Sequence, residues 1–408
     1  MTDGRRRTAD DGPEKREGGA CMNVLITGAT GAVGPCVVQA LCAAGHAVRT
    51  FSLDRPHSGR QTTEDGRQKT DDRRRTGEEG QQTEDGERTP LREAATAGQA
   101  TDNERWPGNI ETRIGDVTDP AAVQSAMRGV DAVIHLAALL HIVNPPPELR
   151  EKYERINVGG TATIVEAAVK AGVKRVVLAS TIAVYGPSNG RILNEDSLPR
   201  PDTFYAQTKL AAEKIVLNAR GADGQPIGTV LRFGAVYGAR IKGNYQRLLQ
   251  SLARGRFIPI GAGRNRRTLV YDKDVARAVV LAVQHPTAAG KTYNVTDGQF
   301  HELREIISAI CGALGRKPPR FSIPVGPARA VAGIIEDAMQ LIGRYSPIGR
   351  ATIDKYTEDI AVSSEWIQTR LGFVPEYNLA AGWKETVQEM RAASQCNSNR
   401  QTFPAKCH

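Results

Sequence analysis

The chain has 408 residues, long enough for one large domain with an added lobe or for two ordinary domains, and at 40% hydrophobic and 24% charged its composition suits a soluble globular protein. Aromatic residues make up only 5%, so nothing suggests a stacking platform for single-stranded nucleic acid, and the moderate net charge of +9 fits an ordinary solvated surface, with a preference for anionic ligands as the alternative. The six cysteines (Cys21, Cys36, Cys42, Cys311, Cys396 and Cys407) show no C-x-x-C or metal-ligand spacing, which calls for no metal and fits the reduced cytoplasm, the expected location.

Residues 1–21 carry an arginine run among polar neighbours rather than the apolar core of a signal peptide. Residues 56–105 repeat the theme as TTEDGR, TDDRRRTGEEG and QTEDGERT. Both are nearly free of large apolar residues and cannot bury enough surface to offset the entropy of ordering, so both are expected to be disordered, as is the 392–408 tail. Their arginines are interleaved with acids, which argues against a nucleic-acid partner. Met22, directly before the first apolar run, is a candidate start. Between these segments the chain alternates: strand 23–27, helix 34–44, strand 47–53, strand 111–115, a helix opened by Asp119-Pro120, strand 132–136, helix 150–171, strand 175–180. That order predicts a Rossmann-type doubly wound parallel sheet over 22–230, covered on both faces. The mixed, Gly- and Arg-punctuated remainder, 231–391, should form mainly a smaller substrate-binding lobe. The most apolar stretch, 325–342, is interrupted by Arg329, Glu336 and Asp337. It predicts an amphipathic helix used in core or subunit packing, with binding to a membrane surface as the alternative, and not a membrane span.

Thr27-Gly28-Ala29-Thr30-Gly31-Ala32-Val33-Gly34 joins the first strand to the first helix, its glycines spaced G-x-x-G-x-x-G. A turn without side chains there lets the backbone approach a pyrophosphate at the helix N-terminus, so Gly28, Thr30, Gly31, Ala32, Val33 and Gly34 are assigned to a dinucleotide. After the second strand, Asp54 would accept from the adenosine ribose and favours NAD. Arg49 and Arg55 leave NADP open. Asp116 and Val117, after the third strand, are placed to meet the adenine, though a simple turn would also explain the aspartate. His135-Leu136-Ala137-Ala138 ends the fourth strand, where Ala137 and Ala138 let the chain pass close to the cofactor and His135 reads as structural.

Tyr205 and Lys209 stand one turn apart in FYAQTKLAAEKIV and share a helix face. A phenol is a poor base at its ordinary pKa of about 10, and a nearby ammonium stabilises the phenolate. The pair follows the strand that ends at Ser180 and the segment Thr181-Ile182-Ala183-Val184-Tyr185-Gly186. TGATGAVG, GDVTD, HLAA, NVGGT, STIAVYG, YAQTK, LRFGAVYG and RRTLVYDKDVARA, taken in this order from Met22 to about Arg391, resemble the extended short-chain dehydrogenase/reductases of the NAD-dependent epimerase/dehydratase family. The resemblance implies Tyr205 as catalytic acid/base, Lys209 as its partner and ribose ligand, and Thr181 (Ser180 as second choice) as the hydroxyl orienting the substrate. It places Asn157 near the cofactor, where a buried polar role is equally open. Dehydratases of the family carry an Asp-Glu pair after the threonine; Ile182 and Ala183 stand there, so water elimination is not expected.

For the substrate, Arg267 matches the family's diphosphate-binding arginine, whose planar fork suits a diphosphate, and Arg350 is a second candidate. The reading is an epimerase of a nucleoside-diphosphate sugar, with no membrane span and with room for a homodimer. Ala235 stands where many nucleotide-sugar enzymes have an asparagine, which counts against this reading. The IPVGPARAVAGII segment resembles the hydroxysteroid dehydrogenase side of the family, so the alternative is a dehydrogenase or reductase of a steroid-like or other apolar alcohol. A cofactor-binding sensor without chemistry is the remaining alternative.

Overall fold

A computed structural model describes residues 21–53, 110–140, 147–241, 243–342, 346 and 349–402. Apart from Cys21, the 1–21 extension lies outside them, as do the 56–105 insertion and Asp54 and Arg55.

The chain begins with β1 (Asn23–Thr27), α1 (Gly34–Ala43) and β2 (Ala47–Ser52), and continues with β3 (Glu111–Ile114), α2 (Pro120–Ala126) and β4 (Ala132–His135). Asp119 caps α2, its carboxylate accepting from the amides of Ala121 at 2.9 Å and Ala122 at 3.3 Å, with proline at the first helical position, a cap worth about 1 kcal/mol. The expected helix 150–171 is made in pieces. They are α3 (Pro147–Tyr153), a π-helical turn over Glu154–Gly159, and α4 (Gly160–Lys170). Then follow β5 (Arg175–Thr181), a 3-10 turn over Ile182–Tyr185, α5 (Phe204–Leu217) and β6 (Gly228–Phe233).

The second half holds β7 (Ala235–Tyr237), α6 (Asn244–Ala253), β8 (Arg266–Arg267), β9 (Leu269–Tyr271), α7 (Asp272–Gln284), β10 (Lys291–Val295), β11 (His301–Glu302) and α8 (Leu303–Leu314). It closes with α9 (Val325–Leu341), α10 (Arg350–Thr357), α11 (Glu365–Leu371) and α12 (Leu379–Thr402).

Seven strands form one parallel sheet in the order β10-β6-β5-β4-β1-β2-β3. Side chains alternate across it. Val24 and Ile26 enter a core with Val37 and Leu41 of α1 and Val275 and Val279 of α7. Leu25 and Val133 point the other way, to Ile164, Ala168, Ala212 and Val216. Burial on both faces explains why these strands read as continuous apolar runs. The order reverses between β1 and β4, the place where such sheets bind ligands beyond their carboxyl ends.

Two boundaries differ from the sequence reading. The Rossmann half does not end at residue 230, because β6 continues to Phe233 and β10 returns to pair with it, while α7 covers α1. A strand of five residues far down the chain carries no local sign of which sheet it joins. The tail is helical as far as Thr402 rather than unstructured from 392. Alanines and polar helix formers with no proline before Pro404 let the helix run on once its first turns are anchored by the buried Trp383 and Val387. As expected, 325–342 is a helix. Among the described residues no helix is long and apolar enough to cross a membrane.

Candidate active site

The turn after β1 is built by two glycines. Gly28 has φ +71°, and a Cβ there would stand 2.7 Å from the backbone nitrogen of Ala137. A Cβ on Gly34 would meet the carbonyl oxygen of Ala29 at 2.1 Å. These contacts let Thr30 to Val33 cross tightly into α1, whose first turn has no side-chain cap, leaving its N–H groups free to face an anion. The residues therefore fit a pyrophosphate at this helix N-terminus. Ala137 is fixed by the side-chain oxygen of Thr27, which accepts from its amide at 3.3 Å. Thr27 also bonds His135 Nδ1 at 2.7 Å, and Thr161 bonds its other ring nitrogen at 3.1 Å. Burial, with the charge of Lys209, pushes the His135 pKa down to about 3. His135 is thus a neutral strut, as its sequence position suggested.

After β3, where the adenosine was expected, Val117 is buried against Gly160, and Asp116 accepts from the Thr118 amide at 2.9 Å. The turn role expected as an alternative for Asp116 is therefore present. Arg49 is engaged elsewhere, by Glu111 at 2.6 Å and by the carbonyls of Ala126 and Arg128, so it is not held for a 2′-phosphate.

On α5, Thr203 caps the first turn by accepting from Ala206 N. That start places Tyr205, Lys209 and Glu213 at successive turns of one face, with Ala212 and Val216 in the core beside them. Lys209 and Glu213 are almost fully buried. Glu213 accepts from Arg232 at 2.6 Å and from the Ser180 hydroxyl at 2.5 Å. Arg232 lies over the ring of Tyr185, 4.7 Å from its centre, and the Tyr185 hydroxyl donates to Asn294. Ser180 is therefore committed to Glu213. Thr181, next along β5, is only partly buried and accepts from Ala183 N at 3.2 Å.

Burial pushes the Lys209 pKa down to about 8, against the opposing pull of Glu213. Burial first and Tyr153 second hold the Tyr205 phenol above its ordinary value. The ring of Tyr153 stands edge-on to that of Tyr205, 6.4 Å between centres, and its hydroxyl donates to Leu140 O at 2.5 Å. Asn157, in the π turn, receives Leu139 N at 2.7 Å and donates to Leu139 O and to Thr208 on α5. It clamps the chain beyond β4 to the helix that carries Tyr205 and Lys209. Tyr153, Thr208 and Glu213 were not singled out in the sequence. Only Glu213 left a signal, as a charge spaced to fall on the buried face.

The two arginines are placed differently. Arg267, on β8, is partly buried and donates to the carbonyls of Lys355 and Tyr356 at the end of α10. Arg350 instead ties α10 to α9, pairing with Asp337 at 2.7 Å and Glu336 at 3.3 Å. None of the other candidate residues takes part in these pairs, and the contacts give its substrate role no support.

Residues 24–296 match the model of the NAD dependent epimerase/dehydratase family, more than half of the chain. The chain belongs to this family. It is an NAD-dependent enzyme of the extended short-chain dehydrogenase/reductase type. An Escherichia coli O157:H7 relative, N-acetyl-alpha-D-glucosaminyl-diphospho-ditrans,octacis-undecaprenol 4-epimerase, is 28% identical over 279 residues, 68% of this chain and 82% of the relative. A 3-beta-hydroxysteroid dehydrogenase of Mycolicibacterium neoaurum is 26% identical over 225 residues, 52% of this chain and 61% of that protein. Among solved structures, MoeE5 in complex with UDP-glucose and NAD is similar with a TM-score of 0.62 and 25% identity, over 91% of this chain and 99% of the other. Family relatives thus include both epimerases and dehydrogenases.

Proposed function

We propose that this enzyme is an epimerase of a nucleoside-diphosphate sugar, working by transient oxidation of one sugar hydroxyl with NAD. The carrying observation is the placement of Tyr205 and Lys209 on the face of α5 clamped through Asn157 to the end of β4, with Lys209 close enough to bias His135. Gly28 through Gly34 would hold the pyrophosphate, Asp54 and Asp116-Val117 the adenosine, and Ala137, Ala138 and Asn157 the nicotinamide half. When bound, NAD accepts a hydride and gives it back. Tyr205 removes the hydroxyl proton and later returns one, Thr181 aligns the hydroxyl, and Lys209 holds the ribose while favouring the phenolate. Inversion would require the site to let the oxidised sugar present its other face before Tyr205 returns the proton. The same reading places the enzyme in the cytoplasm.

Arg267 is the proposed diphosphate ligand. The E. coli relative's name also carries a sugar on a diphosphate, so this chemistry recurs within the family. Arg267→Ala should mainly raise KM, by about tenfold to a hundredfold for one charge-assisted contact of roughly 1.5–3 kcal/mol. UDP, dTDP or GDP should compete with substrate and weaken by a similar factor in the variant. Absorbance of reduced cofactor should stay flat during turnover. Failure of all three nucleotides to bind at millimolar concentration would remove the sugar-nucleotide reading. Two observations favour a second reading, oxidation of an apolar alcohol. Ala235 offers no polar contact, and Arg267 already serves two backbone carbonyls. That reading requires net accumulation of reduced cofactor.

A further inference from the structure

The second lobe carries a surface that the proposed chemistry does not use. Ile323 pairs with the chain at Pro259 to Gly261: its amide donates to Pro259 O at 2.9 Å, and its carbonyl accepts from Gly261 N at 2.8 Å. The pairing sets two loops side by side, one after α6 and one after α8. From them Phe321 projects 84% exposed and Ile258 57% exposed, with Ile323 also open to solvent. A scattered exposed aliphatic residue needs no explanation, but an exposed aromatic beside two isoleucines marks an interaction site. Directly after these loops, α9 turns Val331 and Ile334, one turn apart, to solvent.

The charges on the same loops are of one sign. Arg254 and Arg256 precede Ile258, and Arg316, Lys317 and Arg320 precede Phe321; all five are exposed. None of them is in an ion pair among the described residues, and the Arg316 guanidinium lies over Gly255, so the two basic groups are neighbours. The sequence enforces the asymmetry. Residues 247–265, around the first loop, contain four Arg and no acid, and residues 306–328, around the second, contain three Lys and Arg and no acid. Between the loops is a cavity of about 260 Å³, lined by Leu252, Phe257, Cys311 and Pro319 with Arg316 and Lys317. Apolar lining beside two cations is what a phospholipid offers its complement to: an anionic headgroup above the start of its acyl chains.

We infer that this face docks the enzyme onto an anionic lipid bilayer, with Phe321 and Ile258 entering the interface and the five basic side chains meeting the headgroups. Peripheral binding of this kind needs both contributions, apolar insertion and electrostatic attraction. A second copy of the chain would bring the same unpaired cations against themselves, which charge complementarity disfavours.

Co-sedimentation of the full chain with vesicles tests the inference, comparing phosphatidylcholine alone with phosphatidylcholine containing phosphatidylglycerol. Wild type should partition onto the anionic vesicles, weakly onto the neutral ones, and less as salt rises. A basic group near such a surface is worth about fivefold in partitioning, so Arg316, Lys317 and Arg320 all changed to Glu should reduce binding by a hundredfold or more. Phe321→Ser should reduce it by about tenfold. Both variants should bind NAD like wild type, since these side chains are exposed and belong to no site residue. No binding to anionic vesicles would overturn the inference. Undiminished binding by both variants would do so too, since it would assign the attraction to the arginine runs of 1–21 and 56–105, which every variant retains. So would a solution dimer that Phe321→Ser dissociates.

Discussion

Beside the parallel sheet, where Val24, Leu25 and Ile26 pass to alternate faces and backbone pairing sets every neighbour, the lobe around Trp383 is held differently. Its strands β8, β9 and β11 have two or three residues each, and side chains do the holding. Tyr237 stacks on Trp383 with ring centres 4.6 Å apart, and Tyr271 meets Tyr377 at 4.4 Å. The sheet delivers the ends of β1, β4 and β5 to fixed positions whatever the solvent-facing residues are. The lobe's geometry depends on which aromatic and basic side chains it carries. The proposed function accordingly assigns the chemistry to the first region and the choice of substrate to the second.

That division is broken most directly at Tyr205. Tyr205→Phe removes the proposed proton carrier but leaves the glycine turn untouched. Turnover should fall by roughly 10²- to 10⁴-fold while NAD affinity, read by titration, stays near wild type. Appreciable turnover in this variant would move the chemistry off α5. Arg267→Ala, by contrast, should act on KM and spare cofactor affinity, because it lies in the lobe.

A smaller effect, on the sheet side alone, comes from Lys209. Its pKa is pushed down to about 8 by burial, below its ordinary value near 10.4. Between these values the unfolded chain binds more protons than the folded one. Stability should therefore rise with pH across the window. Cofactor affinity should move oppositely, weakening as pH climbs through about 8 and the ammonium is lost. Glu213→Gln removes the charge that holds the Lys209 pKa up, so the limb should shift to lower pH. The variant should also lose stability, since it leaves Arg232 buried without its anion, a loss of about 3–5 kcal/mol. NAD affinity that is flat to pH 10 in wild type would show that the ammonium is not a ligand.

The comparison also explains what the sequence made legible. The apolar runs of β1, β4 and β5, the glycine turn and the Tyr205-Lys209 spacing are local patterns, and each corresponds to an element where it was expected. Asp119-Pro120 opens its helix for the same reason. What was not legible depends on distant partners. β10 joins β6 only because 291–295 finds its place after a long excursion. Glu213 finds Arg232 across 19 residues and Ser180 across 33, and neither partner is visible from a helical period. The partners of Arg350, the second candidate for the diphosphate, are equally distant. Its acidic neighbours, Glu336 and Asp337, lie on another helix. In the lobe the ring contacts of Tyr237 with Trp383 and of Tyr271 with Tyr377 are of this distant kind, and the lobe is the least readable part of the sequence.

The smallest expected effect concerns the 56–105 insertion, which separates two strands that pair side by side. β2 ends at Ser52, and Ser52 is registered with Ile114 while Arg49 is registered with Glu111. The strands are parallel, so the chain between them must return along the sheet, which takes a connection of about a dozen residues. Replacing 58–104 with a short Gly/Ser linker retains residues 53–57 and 105–110, which with the linker meets that length. The removed segment has almost no large apolar residues, so no core contact should be lost. Loop-closure free energy changes by only about 0.6 kcal/mol per doubling of length. Thermal midpoint and turnover should accordingly stay close to wild type, and NAD affinity with them, since Asp54 is kept. Because the linker begins only a few residues after Asp54, a selective drop in NAD affinity would mean that the insertion helps to close the adenosine end of the site. Loss of folding would mean that it supplies part of the sheet half's core, and the division between the two regions would have to be redrawn.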